Sequence, residues 1–418
     1  DYAQAGNWED ALAVVNAALT NISAPSTMLL YYKAWFLCRM NQQDEAVCVV
    51  SQAENSPLDE YFPNSLEAIL ALQCVTNLPI HAPKAFYLLG NIWYDKRQYQ
   101  EAVDAWEHSK EMDNGFPTVL RNLSLAYFNK LGKKKEAVQL LEQAFMLDET
   151  DARILMELDQ LYKRMDYSPK ERLHLLNKHK EIIATRDDLY LEYATLLNLT
   201  GEYEQAMQLI DQRQFHPWEG GEGKVPAQYQ YARIQLAKKS LKAGEYEHAL
   251  ALIEECFVYP HHLGEGKLYG AQENDFLYYK GCILEAMGNH DEAHSSFTKA
   301  ASGNGQPTAA MYYNDQKPDK IYYQGLALRK VGKEAEARGR FNSLISYGEK
   351  HLYDTFVMDY FAVSLPDLQI WEDDMNKKNR IHCHYLMGLG HLGLGNKEKA
   401  DKCFSYIKEI NPNFQIWI

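Results

Sequence analysis

Seven times along this chain a small residue is followed twelve positions later by another: Ala34 and Ala46, Gly90 and Ala102, Ala194 and Ala206, Ala237 and Ala249, Gly281 and Ala293, Gly325 and Ala337, Gly388 and Ala400. In five of these segments a glycine stands seven residues after the first small position (Gly201, Gly244, Gly288, Gly332 and Gly395). A left-handed glycine there closes a helix without a Cβ penalty. Four residues after the second small position comes a larger apolar residue: Val50, Trp106, Ile210, Ile253, Phe297, Phe341 or Phe404. The spacing predicts a pair of antiparallel helices in which small residues permit close approach and the larger residue fills the gap to the next pair.

This pattern resembles the tetratricopeptide repeat, a helix-turn-helix unit with a period of about 34 residues. Gly388, Ala400, Phe404 and the closing Pro412 fit it best. The resemblance implies an all-α solenoid, a right-handed superhelix of roughly ten helical hairpins. Residues 1–214 read as regular and degenerate repeats, and residues 215–418 as elaborated repeats with long inserts, continuous with the first half. The expected irregularities are a helix over Asn64–Asn77, a helix starting at Pro169, where the missing N–H costs nothing, and an additional helix near Ser346–Phe361.

A net charge of -14 and a pI near 5.5 argue against a surface that tracks phosphates, so nucleic acid and anionic membranes are not expected partners. The odd number of cysteines, seven, without a C-x-x-C pair, reads as buried, reduced thiols and a cytoplasmic setting. No apolar run reaches the length of a membrane span. Gly6, Trp8, Ala11 and Val15 fit the second half of a repeat, which suggests an excised fragment.

From about residue 215, long inserts separate the repeats: His216–Pro226, Tyr259–Asn274, Ser302–Lys320 and Tyr360–Arg380. Connections of one type emerge along one edge of a solenoid, so these loops should be neighbours. Two G-E-G-K tetrads, Gly221–Lys224 and Gly264–Lys267, recur 43 residues apart. Neither has the flanking glycine or the Ser/Thr of a phosphate loop. The expected insert surface comprises His216, Trp218, Glu219, Glu222, Lys224, Glu265, Lys267, Tyr269, Gln272, Glu273, Asn274, Tyr312, Tyr313 and Asp315. Rings among carboxylates and amides suit either a sugar or a protein interface, and loops that merely fold on each other are the third reading.

Gly388, Gly390 and Gly393 spell a dinucleotide fingerprint but lie inside an expected helix with no strand before it, so they read as packing positions. Neither His261-His262 nor His382-x-His384 has the spacing of a metal site on a helix face, and no catalytic signature is present; the chain reads as non-enzymatic, without cofactor or metal. Tyr31, Tyr87, Tyr278, Tyr322 and Tyr385 recur three residues before the first small position. They read either as stacking between repeats or as a ladder in a concave groove that grips a peptide. The aromatic tail Phe414–Ile418 reads as a cap on the last helix or as a self-association surface.

HPWEGGEGK (216–224), LGEGKLYGAQEND (263–275), MYYNDQKPDKIYYQGLALRK (311–330), DYFAVSLPDL (359–368) and NRIHCHYLMGLGHLGLG (379–395) resemble large bacterial proteins in which a sugar-mutarotase-like β-rich region of unknown function precedes a tetratricopeptide array. That resemblance implies a scaffold docking against, and supporting, an upstream carbohydrate-related domain. The alternatives are a peptide-binding adaptor or loops contributing directly to a carbohydrate site.

Overall fold

The computed structural model describes residues 1–22, 26–58, 62–310, 315–356 and 370–418, and every regular element among them is a helix. Two compact units, Asp1–Leu158 and Asp159–Ile418, make up the chain. The first holds α1 (Trp8–Thr20), α2 (Thr27–Arg39), α3 (Gln43–Asn55), α4 (Leu66–Thr76), α5 (Pro83–Asp95), α6 (Tyr99–Met112), α7 (Pro117–Asn129) and α8 (Lys134–Leu147). The division falls within α9 (Ala152–Arg164). The second unit continues with α10 (Pro169–Asn177), α11 (Lys180–Ile183), α12 (Asp187–Thr200), α13 (Tyr203–Gln212), α14 (Lys224–Ala243) and α15 (Tyr246–Cys256). It ends with α16 (Asn274–Ala286), α17 (His290–Ala300), α18 (Pro318–Lys330), α19 (Glu334–His351), α20 (Met375–Gly393) and α21 (Lys397–Ile410). The compact units thus divide earlier than residue 214, because the change of style there concerns loop length and not packing.

Consecutive helices pair as hairpins: α2 with α3, α5 with α6 and α7 with α8 in the first unit, and α12 with α13 through α20 with α21 in the second. The turns are built as the glycine spacing requires. Gly244, at φ 82°, donates its N–H to Leu241 and Ser240 and ends α14 in the left-handed conformation that a side chain would oppose.

The larger apolar residue fills the gap to the next pair, as where Phe341 of α19 lies against Gly393 of α20, and it has a second role within its own hairpin. Phe297 of α17 lies over Gly281 in the first helix of its own hairpin, where a Cβ would fall 2.5 Å from the ring, and it also meets the next pair, with Lys330 Nζ 5.3 Å from its ring centroid and Val331 packed on the same cluster. Trp106 covers Gly90 in the same way, at 2.4 Å. In the hairpins that open on Gly90, Gly281, Gly325 and Gly388 the pattern therefore encodes a ring-on-glycine contact that sets the spacing of the two helices.

Pro169 opens α10 behind a complete capping box, in which Ser168 accepts from the Glu171 N–H and Glu171 accepts from the Ser168 N–H. The additional helix expected from Ser346 is instead the last part of α19, which runs unbroken to His351; residues 357–361 lie outside the described residues. Gly388, Gly390 and Gly393 lie within α20, and a Cβ on Gly390 would fall 2.5 Å from the Phe341 carbonyl oxygen, so these glycines serve helix contact.

Candidate interaction site

The first two inserts are held together by a short sequence of polar and backbone contacts, all within the second unit. Asp187, in the first turn of α12, accepts from Arg213 Nε at 2.6 Å and from the His216 N–H at 2.9 Å. Desolvation raises its carboxyl, but these contacts hold it below the usual carboxylate range. Phe215 is thereby drawn inward, fully buried, and donates its N–H to the His262 carbonyl at 2.8 Å. Gly264, at φ 74°, lies against this crossing, and a Cβ there would sit 2.7 Å from the Phe215 carbonyl oxygen. Beneath the crossing, Phe215, Val225, Tyr229 and Leu263 form one buried cluster.

Glu265 completes the junction by accepting from the Gly223 N–H with both oxygens, at 2.8 and 3.1 Å, at the start of α14 where an anion is favoured. Desolvation and the nearby Glu222 raise the Glu265 carboxyl, against the Gly223 N–H that lowers it. The indole of Trp218 folds back over Gly221, so closely that a Cβ there would fall 2.4 Å from the ring. Between the loops lies a cleft of ≈ 280 Å³, with His216, Pro217, Trp218 and Glu219 on one side, Gly221, Glu222 and Val225 along the start of α14, and Leu263 and Glu265 opposite.

The other residues expected in this surface fall elsewhere. Lys224 is exposed in the first turn of α14 and does not line the cleft, while Lys267 pairs with Glu273 and donates to the Phe257 carbonyl at 2.9 Å. Tyr269 stands free at the tip of its loop, 108% exposed, outside the cleft. Gln272 and Asn274 are connectors. Gln272 donates to the Asp315 carbonyl and accepts from the Lys317 N–H, both at 3.0 Å, and Asn274 donates to the Ala300 and Ser302 carbonyls. They tie the second insert to the third, and His382 donates from Nε2 to the Thr308 carbonyl at 2.8 Å, tying the third to α20. Tyr312 and Tyr313, with residues 360–369 of the fourth insert, lie outside the described residues.

The recurrent tyrosines are packed and not laid open. Tyr31 is fully buried and donates to Glu54 at 2.6 Å; Tyr322 and Tyr385 are buried, and Tyr87 and Tyr278 are half-buried. Ring centroids lie 4.8 Å apart for Tyr87 and Phe116 and 5.6 Å apart for Tyr278 and Tyr323. Tyr87 and Tyr278 stack between repeats, Tyr322 meets Phe341 of its own hairpin and Tyr385 meets Phe414, and a free ladder is not present at Tyr31, Tyr322 or Tyr385.

In the second unit the helix face carrying Tyr385 is already occupied, by residues 413–418 of the chain. Asn413 accepts from Arg172 at 2.8 Å and donates to the Tyr167 carbonyl at 2.9 Å. Gln228 donates to the Gln415 side chain at 2.9 Å, Tyr231 donates to the Ile416 carbonyl at 3.3 Å, and Lys238 donates to the Ile418 carbonyl oxygen at 2.7 Å. The Trp417 N–H donates to the Tyr385 hydroxyl at 3.2 Å, and its indole meets Tyr231 edge-on at 4.9 Å. The aromatic tail, expected to cap the last helix or to present a self-association surface, packs Phe414, Ile416 and Ile418 on the cluster that holds Ile407 of α21 and also crosses back to α14, while Asn413 before it reaches α10. The sequence signals for it were the tail's own aromatic run and Arg172, whose long-range partner no local pattern could name.

A tetratricopeptide repeat model matches residues 119–151, which cover α8 and most of α7. The fold is that of a tetratricopeptide array. Solved structures similar to it include a tetratricopeptide repeat protein from Parabacteroides merdae, at 16% identity and TM-score 0.31, over 72% of this chain and 97% of that one. Another is YrrB, described as a tetratricopeptide protein with an unusual peptide-binding site, at 13% identity and TM-score 0.33, over 55% of this chain and 98% of that one. A third, TTC0263 from Thermus thermophilus, gives 17% identity and TM-score 0.26 over 51% and 98%. Among the described residues of the array, no helix is long and apolar enough to cross a membrane, and no three His, Cys, Asp or Glu side chains gather as a metal site.

Proposed function

We propose that the chain is a non-catalytic interaction scaffold that binds a protein partner through the insert edge of its second unit. The observation that carries this reading is a contrast between two faces. The helix face carrying Tyr385 holds residues 413–418, whereas the insert edge offers a cleft lined by a tryptophan, with exposed Leu268 and Tyr269 on the neighbouring loop. An aromatic anchor beside a cleft, on loops braced by hydrogen bonds, is the arrangement in which a few residues carry most of an interface's energy. The loops are also pre-organised by the Glu265–Gly223 and Phe215–His262 contacts, which reduces the ordering cost of association.

The first partner to test is an upstream carbohydrate-related region of the kind that the resemblance of the inserts implies, expressed separately. Trp218→Ala and Tyr269→Ala should weaken its association with the array by about tenfold or more, and Tyr278→Ala should leave it unchanged. Glycans in place of that region form the comparison arm. Unchanged association of both edge variants, beside loss in Tyr278→Ala, would return the function to the helix face.

A further inference from the structure

Resting on the reading that the insert edge is the binding surface, we infer that the cleft between the two G-E-G-K loops receives the guanidinium end of an arginine side chain from the protein partner. The two tetrads are alike in sequence, and in the fold each places its glutamate in the cleft and keeps its lysine out of the lining. Glu219 adds a third carboxylate, and no lysine or arginine lines the space. Val225 and Leu263 are buried beneath it, and Trp218 forms part of its wall. The result is a cleft with an apolar floor whose charged lining residues, His216 aside, are three glutamates.

That combination selects among cations. A divalent metal ion needs carboxylates gathered at one point, and no such group occurs among the described residues. A guanidinium instead spreads its charge over a plane, is weakly hydrated, stacks on an indole, and presents N–H groups outward to carboxylates that stand apart. A lysine ammonium is a compact, strongly hydrated charge and matches this cleft less well. A sugar would need donors as well as acceptors, and apart from His216 and the Trp218 indole N–H the polar side chains here are glutamates. At ≈ 280 Å³ the space is also of the order of one inserted side chain, just below the range of about 300–1,000 Å³ typical of pockets that enclose whole small ligands. Desolvation is the main cause that raises the Glu265 carboxyl, and a cation between Glu222 and Glu265 would offset the smaller repulsion from Glu222 that adds to it. The net charge of -14 steers a basic partner toward the array.

The test follows the Trp218 indole N–H by NMR in the full chain labelled at tryptophan nitrogen, with the signal assigned by its loss in Trp218→Phe. Acetyl-Gly-Arg-Gly-amide should shift that signal saturably, in the millimolar range. Tripeptides with citrulline, norleucine or lysine at the centre, and maltose, should shift it at least about tenfold more weakly, and Glu219→Gln/Glu222→Gln should weaken the arginine peptide by a similar factor. This pair leaves the Glu265–Gly223 contact in place, so the loops keep their junction. No shift with the arginine peptide, an equal response to any other arm, or wild-type affinity in the double variant would overturn the inference. If arginine fails while Trp218→Ala still abolishes partner association, the inference falls and the scaffold reading stands; the opposite pair of results removes the scaffold reading.

Discussion

Asp319 shows how far burial can move a single group in this array. It lies in the first turn of α18, 6% exposed, 3.7 Å from the Lys320 ammonium, which is itself 2.5 Å from Asp275. Desolvation, opposed by Lys320 and reinforced by Asp275, pushes the Asp319 carboxyl up to about 6. The unfolded chain releases that proton near pH 3.9, so between these values the folded state holds more protons and stability falls as pH rises. The stability difference between Asp319→Asn and the wild type should therefore grow in the variant's favour from pH 4 to pH 6.5, by up to roughly 3 kcal/mol, as read by urea unfolding. Gly281 tests the packing step. Gly281→Ala places a methyl group 2.5 Å from Phe297 and should cost about 1–3 kcal/mol despite the better helix propensity of alanine, measured in the same way.

At the scale of single elements, the loops and caps decide which surfaces are presented. The capping box of α10 fixes the start of the helix that carries Arg172, so Ser168→Ala should lower stability by about 1 kcal/mol. The insert crossing depends on Gly264 for two reasons, its left-handed backbone and its contact with the Phe215 carbonyl. Gly264→Ala should cost more than about 1 kcal/mol, and hydrogen exchange should show the Phe215 N–H losing protection, while the amides of α20 and α21 stay protected.

For the second unit as a whole, residues 413–418 change the kind of cooperativity available. A helical array in which each repeat touches only its neighbours unfolds as a nearly one-dimensional chain of units. Here Arg172, fully buried and paired with Asp159 and Glu192, also holds Asn413, 241 positions away in sequence, and Tyr231 meets Ile416 and Trp417. These contacts couple α10 and α14 to the segment that follows α21. Asn413→Ala/Trp417→Ala should accordingly broaden the urea transition, lower its m-value, and raise hydrogen exchange in α10, α12 and α14 together, ahead of the hairpins of α16–α19. A sharp transition with unchanged m-value and only local exchange around 411–418 would show that the segment rides on the array without coupling it.

Periodicity and glycine spacing were enough to establish the hairpins, their turns and the packing role of Gly388, Gly390 and Gly393, because ring-on-glycine contacts and left-handed caps are set by residues a few turns apart. The neighbourhood of the first two inserts was legible too, since repeated units bring equivalent loops to one edge. Which side chains of those loops converge was not. Glu222 and Glu265 enter the cleft while Lys224, Lys267 and Tyr269 do not, and that sorting depends on Phe215, Leu263 and Asp187, whose roles arise only when the two loops cross. The occupied tyrosine face was equally beyond local pattern, because an aromatic segment finds its partners by burial and hydrogen bonding at whatever sequence distance the folded chain brings near. Local sequence determined the repeating unit; tertiary packing decided which of its surfaces remained open.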